Sequence, residues 1–423
     1  TTLHPIIQPV VASNHSIAST SPFSHRIIHP APSRSSSFLS PVVSVSFPSK
    51  RSPHSTWPST AHPPTMPSPA ESIPKKQLAA VSDDSSSLEI REIPVVQPSE
   101  LEPGRALVKV LYTGVCHTDL HVIRDEWPLK PQRPAIAGHE GAGVIVAIND
   151  PTSNLKVGDR VGIKWIADSC NQCEFCLSGD DPICQKAKCS GLTASGSFQQ
   201  YCPAYVSQLT PIPESLDMSQ AAPILCAGVT VYKALKNSAA RAGQWVAIPG
   251  AGGGLGSLAL QYAKYMGLST IAIDTGDAKK DLTKKLGASA WIDFTTTEDM
   301  VAAVKKATPD GLGPHAAIIT SPKPEAYLTA MSYIRPGGTV VAVGLPKEGA
   351  VVTADVFWTV VQSKRLVGSY VGSRLDAIEA LRIAAEGHVK TPISIEPFAS
   401  LESVYTRMEK GELSGRVVLD LFK

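Results

Sequence analysis

Trp245-Val-Ala-Ile-Pro-Gly250-Ala-Gly252-Gly253-Gly254-Leu-Gly256 is the stretch that decides the fold. A short apolar run rich in β-formers enters a glycine turn, and an amphipathic segment follows at once. Leu255, Leu258, Ala259, Tyr262 and Met266 recur there at helical spacing, which predicts a helix from Leu255 whose apolar stripe faces a sheet. Downstream the alternation repeats: strand 270–273, helix from Ala278, strand 291–294, helix 298–307, strand 316–320, helix 324–334, strand 339–343 and strand 366–371. Strand and helix in alternation predict an α/β, doubly wound parallel sheet. Upstream, residues 89–205 read instead as short strands punctuated by Gly and Pro, including 106–112 and 142–148, so a mainly β domain precedes the α/β one.

The glycines stand where backbone must approach a pyrophosphate and where a helix N-terminus offers an anion site. Gly250, Gly252, Gly253, Gly254, Leu255 and Gly256 form this turn, one residue longer than G-x-G-x-x-G when counted from Gly250. Asp274 ends the second strand, eighteen positions after Gly256. A carboxylate there can accept hydrogen bonds from the adenosine ribose hydroxyls and repels a 2′-phosphate, so NAD is expected rather than NADP. The alternative for Asp274 is a plain cap on the next helix.

Composition narrows the class of function. The 423 residues carry 39 Lys and Arg against 37 Asp and Glu, a net +2. Four of those cations, Arg26, Arg34, Lys50 and Arg51, precede the first acidic residue, Glu71, which leaves 35 cations against 37 anions beyond, a balance of −2. A near-neutral chain is no general phosphate-backbone binder, and no nucleic-acid partner is expected. The longest apolar runs, such as 144–148, fall far short of the roughly 18 to 20 residues of a membrane span, so no membrane partner is expected either. Residues 1–65 are rich in Ser and Pro, hold no acidic residue and show no apolar period, and they read as a disordered N-terminal extension. A transit peptide and upstream read-through before Met66 both fit that composition.

Eight cysteines are too sparse for a disulfide scaffold, and a reducing compartment follows. Cys170-x2-Cys173-x2-Cys176-x7-Cys184 sets four thiols within fifteen residues of polar, loop-like sequence. Four soft ligands fill a tetrahedral zinc and leave no open position, a structural clamp rather than a reaction centre. An iron–sulfur cluster is the rival occupant. A nucleic-acid-binding zinc ribbon fits poorly, because Glu174, Asp180 and Asp181 surround the cysteines. Other metal-type residues are scattered: Cys116 in Gly114-Val-Cys-His-Thr-Asp-Leu-His121, His139 in Gly138-His-Glu-Gly-Ala-Gly143, and Cys226 in Pro223-Ile-Leu-Cys-Ala-Gly228. Spacing does not unite these three, and each alone could be an ordinary core or turn residue. Cys189 and Cys202 read as free thiols.

With those segments in hand, residues 66–423 resemble the zinc-dependent alcohol dehydrogenases of the medium-chain dehydrogenase family, and the tetrameric fungal branch most of all. The segments at 114–121 and 138–143, the four-cysteine lobe, GSFQQY at 196–201, CAGVTVYKAL at 226–235, the glycine turn and VGSYVG at 367–372 occur in the family's order. The resemblance implies a GroES-like β-rich catalytic domain over 66–227, a Rossmann NAD-binding domain over 228–366, and a return to the catalytic domain over 367–423. It also implies a second zinc on Cys116, His139 and Cys226, with Glu140 able to approach the metal and Asp119 holding the imidazole of His139. Two zinc ions per chain are then expected, one catalytic and one structural. The reaction implied is reversible hydride transfer between an alcohol and NAD, with the metal as Lewis acid.

Further roles are carried over position by position. Thr118 and His121 would pass the proton outward through the nicotinamide ribose, although the same residues could simply open a helix with Thr118 as its cap. His117 is expected near the pyrophosphate, Lys279 near the adenosine ribose, Val343 and Leu345 beneath the nicotinamide, with Ser369 and Val371 beside it. Arg416 would reach a phosphate. Trp127 and Trp165 match positions that narrow the substrate pocket in the fungal branch, which favours ethanol and acetaldehyde as the small alcohol and aldehyde. The competing readings are a dehydrogenase of a polyol, secondary or aromatic alcohol and, in a different class, a non-catalytic zinc- and nucleotide-binding scaffold. A homotetramer in the cytoplasm is expected, with the mitochondrial matrix as the other compartment.

Overall fold

The structure is a computed structural model that describes residues 72–346, 349–413 and 415–423. The expected extension at residues 1–65 lies outside the described residues. Among them, no helix is long and apolar enough to cross a membrane.

The glycine turn sits where the sequence placed it. Strand Trp245–Pro249 runs into the turn and helix Gly256–Tyr265 leaves it. Six parallel strands make one sheet in the order Ala290–Asp293, Ser269–Asp274, Trp245–Pro249, Ala316–Ile319, Thr339–Ala342, Arg365–Gly368. The strand order reverses beside Trp245–Pro249, and a doubly wound sheet opens its ligand crevice at such a reversal, outside the carboxyl ends of the strands. The stripe on the first helix packs as its spacing requires: Leu258, Ala259 and Tyr262 are fully buried in the core, with Leu255 and Met266 against its edge.

A second, mostly antiparallel sheet of seven strands is built from both ends of the described chain. Its order is Ile393–Pro397, Arg416–Asp420, Arg105–Gly114, Gly141–Asn149, Arg160–Ile163 and Thr210–Pro211, with Tyr201–Tyr205 also paired to Arg105–Gly114. Pairing of Val418 with Gly114, Leu419 with Thr113 and Asp420 with Tyr112 joins the last strand to an early one, a link that no local pattern encodes. The result is the GroES-like and Rossmann pairing that the resemblance implies. A short hairpin, Ile166–Asp168 with Lys188–Cys189, closes the base of the four-cysteine loop.

Candidate active site and metal centres

Three elements bring the scattered residues together. Cys116 caps helix His117–Ile123, so the alternative of Thr118 as the cap does not occur. His139 and Glu140 immediately precede strand Gly141–Asn149. Cys226 lies in a single π-helical turn, Ile224–Gly228, between helices Met218–Pro223 and Val229–Asn237. Such turns interrupt the regular helix ladder and recur at functional sites. One ligand atom from each of Cys116, His139, Glu140 and Cys226 lies within 4.8 Å of the others.

Asp119 organises this cluster. It is buried, and its Oδ1 lies 2.7 Å from His139 Nδ1 and accepts the Gly138 N–H at 3.0 Å, while Oδ2 accepts the Cys116 N–H at 3.2 Å. Holding Nδ1 in this way leaves Nε2 facing Cys226 Sγ at 3.1 Å, with its lone pair available to a metal. The Cys116 thiol is pushed well down by its hydrogen bond with Cys226, against the opposing effect of burial, so one sulfur of the pair carries thiolate character. Glu140 is wholly buried, and burial raises its carboxyl to about 7 against the counter-pull of Arg416. One of its oxygens is ion-paired with Arg416, and the other, Oε2, has no protein partner. Two sulfurs and one oriented imidazole are a fitting donor set for zinc with a fourth position left over, and the spare carboxylate oxygen of Glu140 stands beside them.

The second set is of another kind. Cys170, Cys173, Cys176 and Cys184 also converge within 4.8 Å. Their sulfurs stand 3.6 Å apart for Cys173–Cys176 and Cys184–Cys170 and 3.9 Å apart for Cys170–Cys176. Tetrahedral thiolates at about 2.3 Å from one zinc would lie roughly 3.8 Å from each other. The cage therefore suits one ion and is too small for an iron–sulfur cluster. Its four positions are all filled by protein.

The nucleotide crevice begins at Gly250, where φ is +84°, a value open to glycine. At Gly256 a Cβ would fall 2.2 Å from the Gly250 carbonyl, so the turn closes only without a side chain. Asp274 is buried at the strand end; Oδ2 accepts the Gly252 N–H at 2.9 Å and Oδ1 accepts Lys279 Nζ at 3.0 Å. The expected ribose residues thus already touch one another across the turn. Arg416 lays its stem against Gly254 and its guanidinium against Glu140, which joins the glycine turn to the four-ligand cluster. Val343 is buried, Leu345 is exposed, and Ser369 accepts the side-chain N–H of Asn237. Val371 has φ +40°, a strained left-handed geometry for a β-branched residue.

Each tryptophan packs against a histidine of this region. Trp165 is buried, edge-on to His139 with ring centroids 5.2 Å apart. Trp127 stacks on His121 at 5.3 Å, and both indoles belong to one apolar group with Val122, Ile166, Leu192 and Val371. His121 stands 6.3 Å from the ring of His117 and pairs through Nδ1 with Glu126 at 2.5 Å. Sequence reasoning missed two residues here, Glu126 and Tyr370, whose hydroxyl takes the indole N–H of Trp165. Tyr370 lay inside the quoted VGSYVG segment, but a tyrosine among apolar residues carries no signal of its partner.

Comparison with known proteins agrees with this geometry. The alcohol dehydrogenase GroES-like domain family matches residues 102–214, and the zinc-binding dehydrogenase family matches 254–386. An alcohol dehydrogenase of Schizosaccharomyces pombe is 47% identical over 354 residues, which is 83% of this chain and 99% of that protein. Alcohol dehydrogenase 1 of Neurospora crassa is 48% identical over 84% of this chain and 100% of its own length. Among solved structures, an acetophenone reductase from Geotrichum candidum in complex with NAD superposes with a TM-score of 0.72 at 27% identity, covering 83% of this chain and 99% of that one. Fold and site define a medium-chain dehydrogenase. The chain belongs to the zinc-dependent alcohol dehydrogenases.

Proposed function

We propose that this enzyme interconverts short primary alcohols and their aldehydes with NAD, ethanol and acetaldehyde foremost. The observation that carries the size limit is the pair of indoles: Trp165 edge-on to His139 and Trp127 over His121. Zinc held by Cys116, His139 and Cys226 would supply Lewis acidity toward the substrate oxygen, and NAD would supply the hydride acceptor. Asp119 fixes the tautomer of His139 by taking Nδ1. Glu140 keeps a buried carboxylate at the cluster, and Arg416 balances its charge. Thr118, on the same helix as His121, lies on the outward path, and His121 passes a proton toward solvent with Glu126 as its immediate partner. His117 neighbours that path. Asp274 and Lys279 receive the adenosine ribose, while Val343, Leu345, Ser369 and Val371 bound the nicotinamide.

The reading includes the division at 66–227, 228–366 and 367–423. It also includes a homotetramer, for which the exposed apolar run Val356, Phe357, Trp358, Val360 and Val361 beside edge strand Arg365–Gly368 is the support. Eight free cysteines accord with a cytoplasmic setting. An NAD-reduction assay over a panel of alcohols tests the substrate reading. One methylene in a tight pocket is worth about 1 to 3 kcal/mol, so kcat/KM should decline from ethanol toward hexanol. Trp165→Ala should flatten that series. Preference of the wild type for benzyl or cinnamyl alcohol over ethanol would replace this reading with that of an aromatic-alcohol dehydrogenase.

A further inference from the structure

Lys164, directly before the pocket residue Trp165, is a buried cation with 3% exposure. Burial lowers its ammonium to about 7, with Asp181 pulling the other way, and neither the metal clusters nor the nucleotide turn use it. Its Nζ donates to the side-chain oxygen of Gln208 at 2.8 Å and to the Gln208 backbone carbonyl. Gln208 is equally buried, and its amide N–H groups donate to Ser169 Oγ at 3.0 Å and Asp181 Oδ2 at 3.3 Å. Ser169 immediately precedes Cys170, and Asp181 opens the turn Asp181–Ile183 that delivers Cys184. One glutamine therefore grips both ends of the four-cysteine loop and the lysine beside Trp165. The backbone on the pocket side is clipped as well: Ser190 Oγ donates to the Lys164 carbonyl at 2.8 Å, and the Ser190 N–H donates to the Trp165 carbonyl at 2.8 Å. The next residue back, Cys189, packs in the same apolar group as the two indoles.

From this chain of contacts we infer that Lys164 and Gln208 are positioning residues for substrate size, tying the four-cysteine loop to the wall that carries Trp165. A buried polar network has few alternative arrangements, because each broken bond leaves an unpaired group out of water. The bend bearing Trp165, between strands Arg160–Ile163 and Ile166–Asp168, therefore keeps the placement that the loop dictates, and the loop acts on selectivity as well as on stability. The inference rests on the reading of Trp165 as a pocket wall.

Single and double variants separate positioning from mere bracing. Lys164→Met strands two acceptors of Gln208 and should lower the melting temperature. The double variant Lys164→Met with Gln208→Met removes the Lys164–Gln208 side-chain pair together, sparing the unpaired Gln208 side-chain oxygen of the single variant, but it still takes a donor from Ser169, Asp181 and the Gln208 carbonyl. It too should melt below the wild type, but assayed well below its melting temperature and holding two zinc ions, its ethanol-to-hexanol ratio of kcat/KM should fall at least about threefold, within the range that residues coupled to a site can shift. Its near-UV circular dichroism in the tryptophan bands should change too. A ratio and a spectrum equal to the wild type would overturn the inference. Should the double variant fail to fold, Ser190→Ala removes one clip on the Lys164 carbonyl, and the same two readouts apply, an unchanged ratio being again the adverse result. Trp165→Ala run beside them isolates the premise. If it too leaves the ratio unchanged, the pocket reading fails; if it flattens the series and the network variants do not, only the positioning role fails.

Discussion

The two cysteine-containing metal sets differ in nearly every physical respect. Cys170, Cys173, Cys176 and Cys184 come from one fifteen-residue loop and would saturate a zinc ion with four sulfurs. Cys116, His139, Glu140 and Cys226 come from segments up to 110 positions apart, mix sulfur, nitrogen and oxygen, and are surrounded by buried charge in Asp119 and Arg416. A closed set gains only by holding its loop. An open set must tolerate exchange of its fourth partner, so its geometry comes from the surrounding fold. The lesson is that ligand spacing in sequence reports how a site is stabilised, and ligand chemistry reports what it can do.

Substitution in each set is the severest way to break that contrast. Cys226→Ser should abolish turnover with little change in melting, whereas Cys184→Ser should lower melting first, since structural zinc contributes folding free energy of about 10 kcal/mol or more in small zinc domains. Turnover and melting curves of both variants check this, and loss of activity alone in both would erase the division. Next in size is the cofactor side of the open set. Asp274→Gly should narrow the preference for NAD over NADP at least about tenfold, or 1.4 kcal/mol, in steady-state kinetics. A wild-type preference for NADP would reject the role of Asp274.

Lys164 offers a pH test of how firmly the closed set's loop is braced. Its folded value of about 7 lies below the ordinary 10.5. Between those values the unfolded chain binds the extra proton, so stability rises with pH there, by at most about 1.4 kcal/mol per unit, and the gain is lost as pH falls to 7. Chemical denaturation from pH 7 to 9 should show that slope reduced in Lys164→Met; equal slopes would place the charge elsewhere. The smallest effect belongs to His121→Ala, which should keep zinc and slow alcohol oxidation by well under the roughly hundredfold of a lost general base, with imidazole buffer restoring part of the rate. Loss of the zinc at Cys116 and Cys226 in that variant would make His121 a ligand.

How much of this was legible in the sequence follows from the range of the forces involved. Strand Trp245–Pro249, its glycine turn and helix Gly256–Tyr265 obey local periodicity, and so could be read to within a residue or two. The closed set was legible for the same reason, its four ligands sharing one loop. The open set was not: Cys116, His139 and Cys226 meet only because three different elements converge, and resemblance alone joined them beforehand. Glu140 with Arg416, and Lys164 with Gln208, are partners 276 and 44 residues apart. Tertiary packing makes such pairs, and no period or propensity announces them. Nor does any local rule give Val371 its positive φ, which a β-branched residue adopts only when its surroundings impose it.

The central claim is that one chain holds two zinc ions in sites of unlike purpose, and elemental analysis of the purified protein tests it most directly. The wild type should contain two zinc ions per chain and Cys226→Ser about one, the remaining ion resisting mild chelation because its four positions are filled. A wild-type content of one or none would contradict the account.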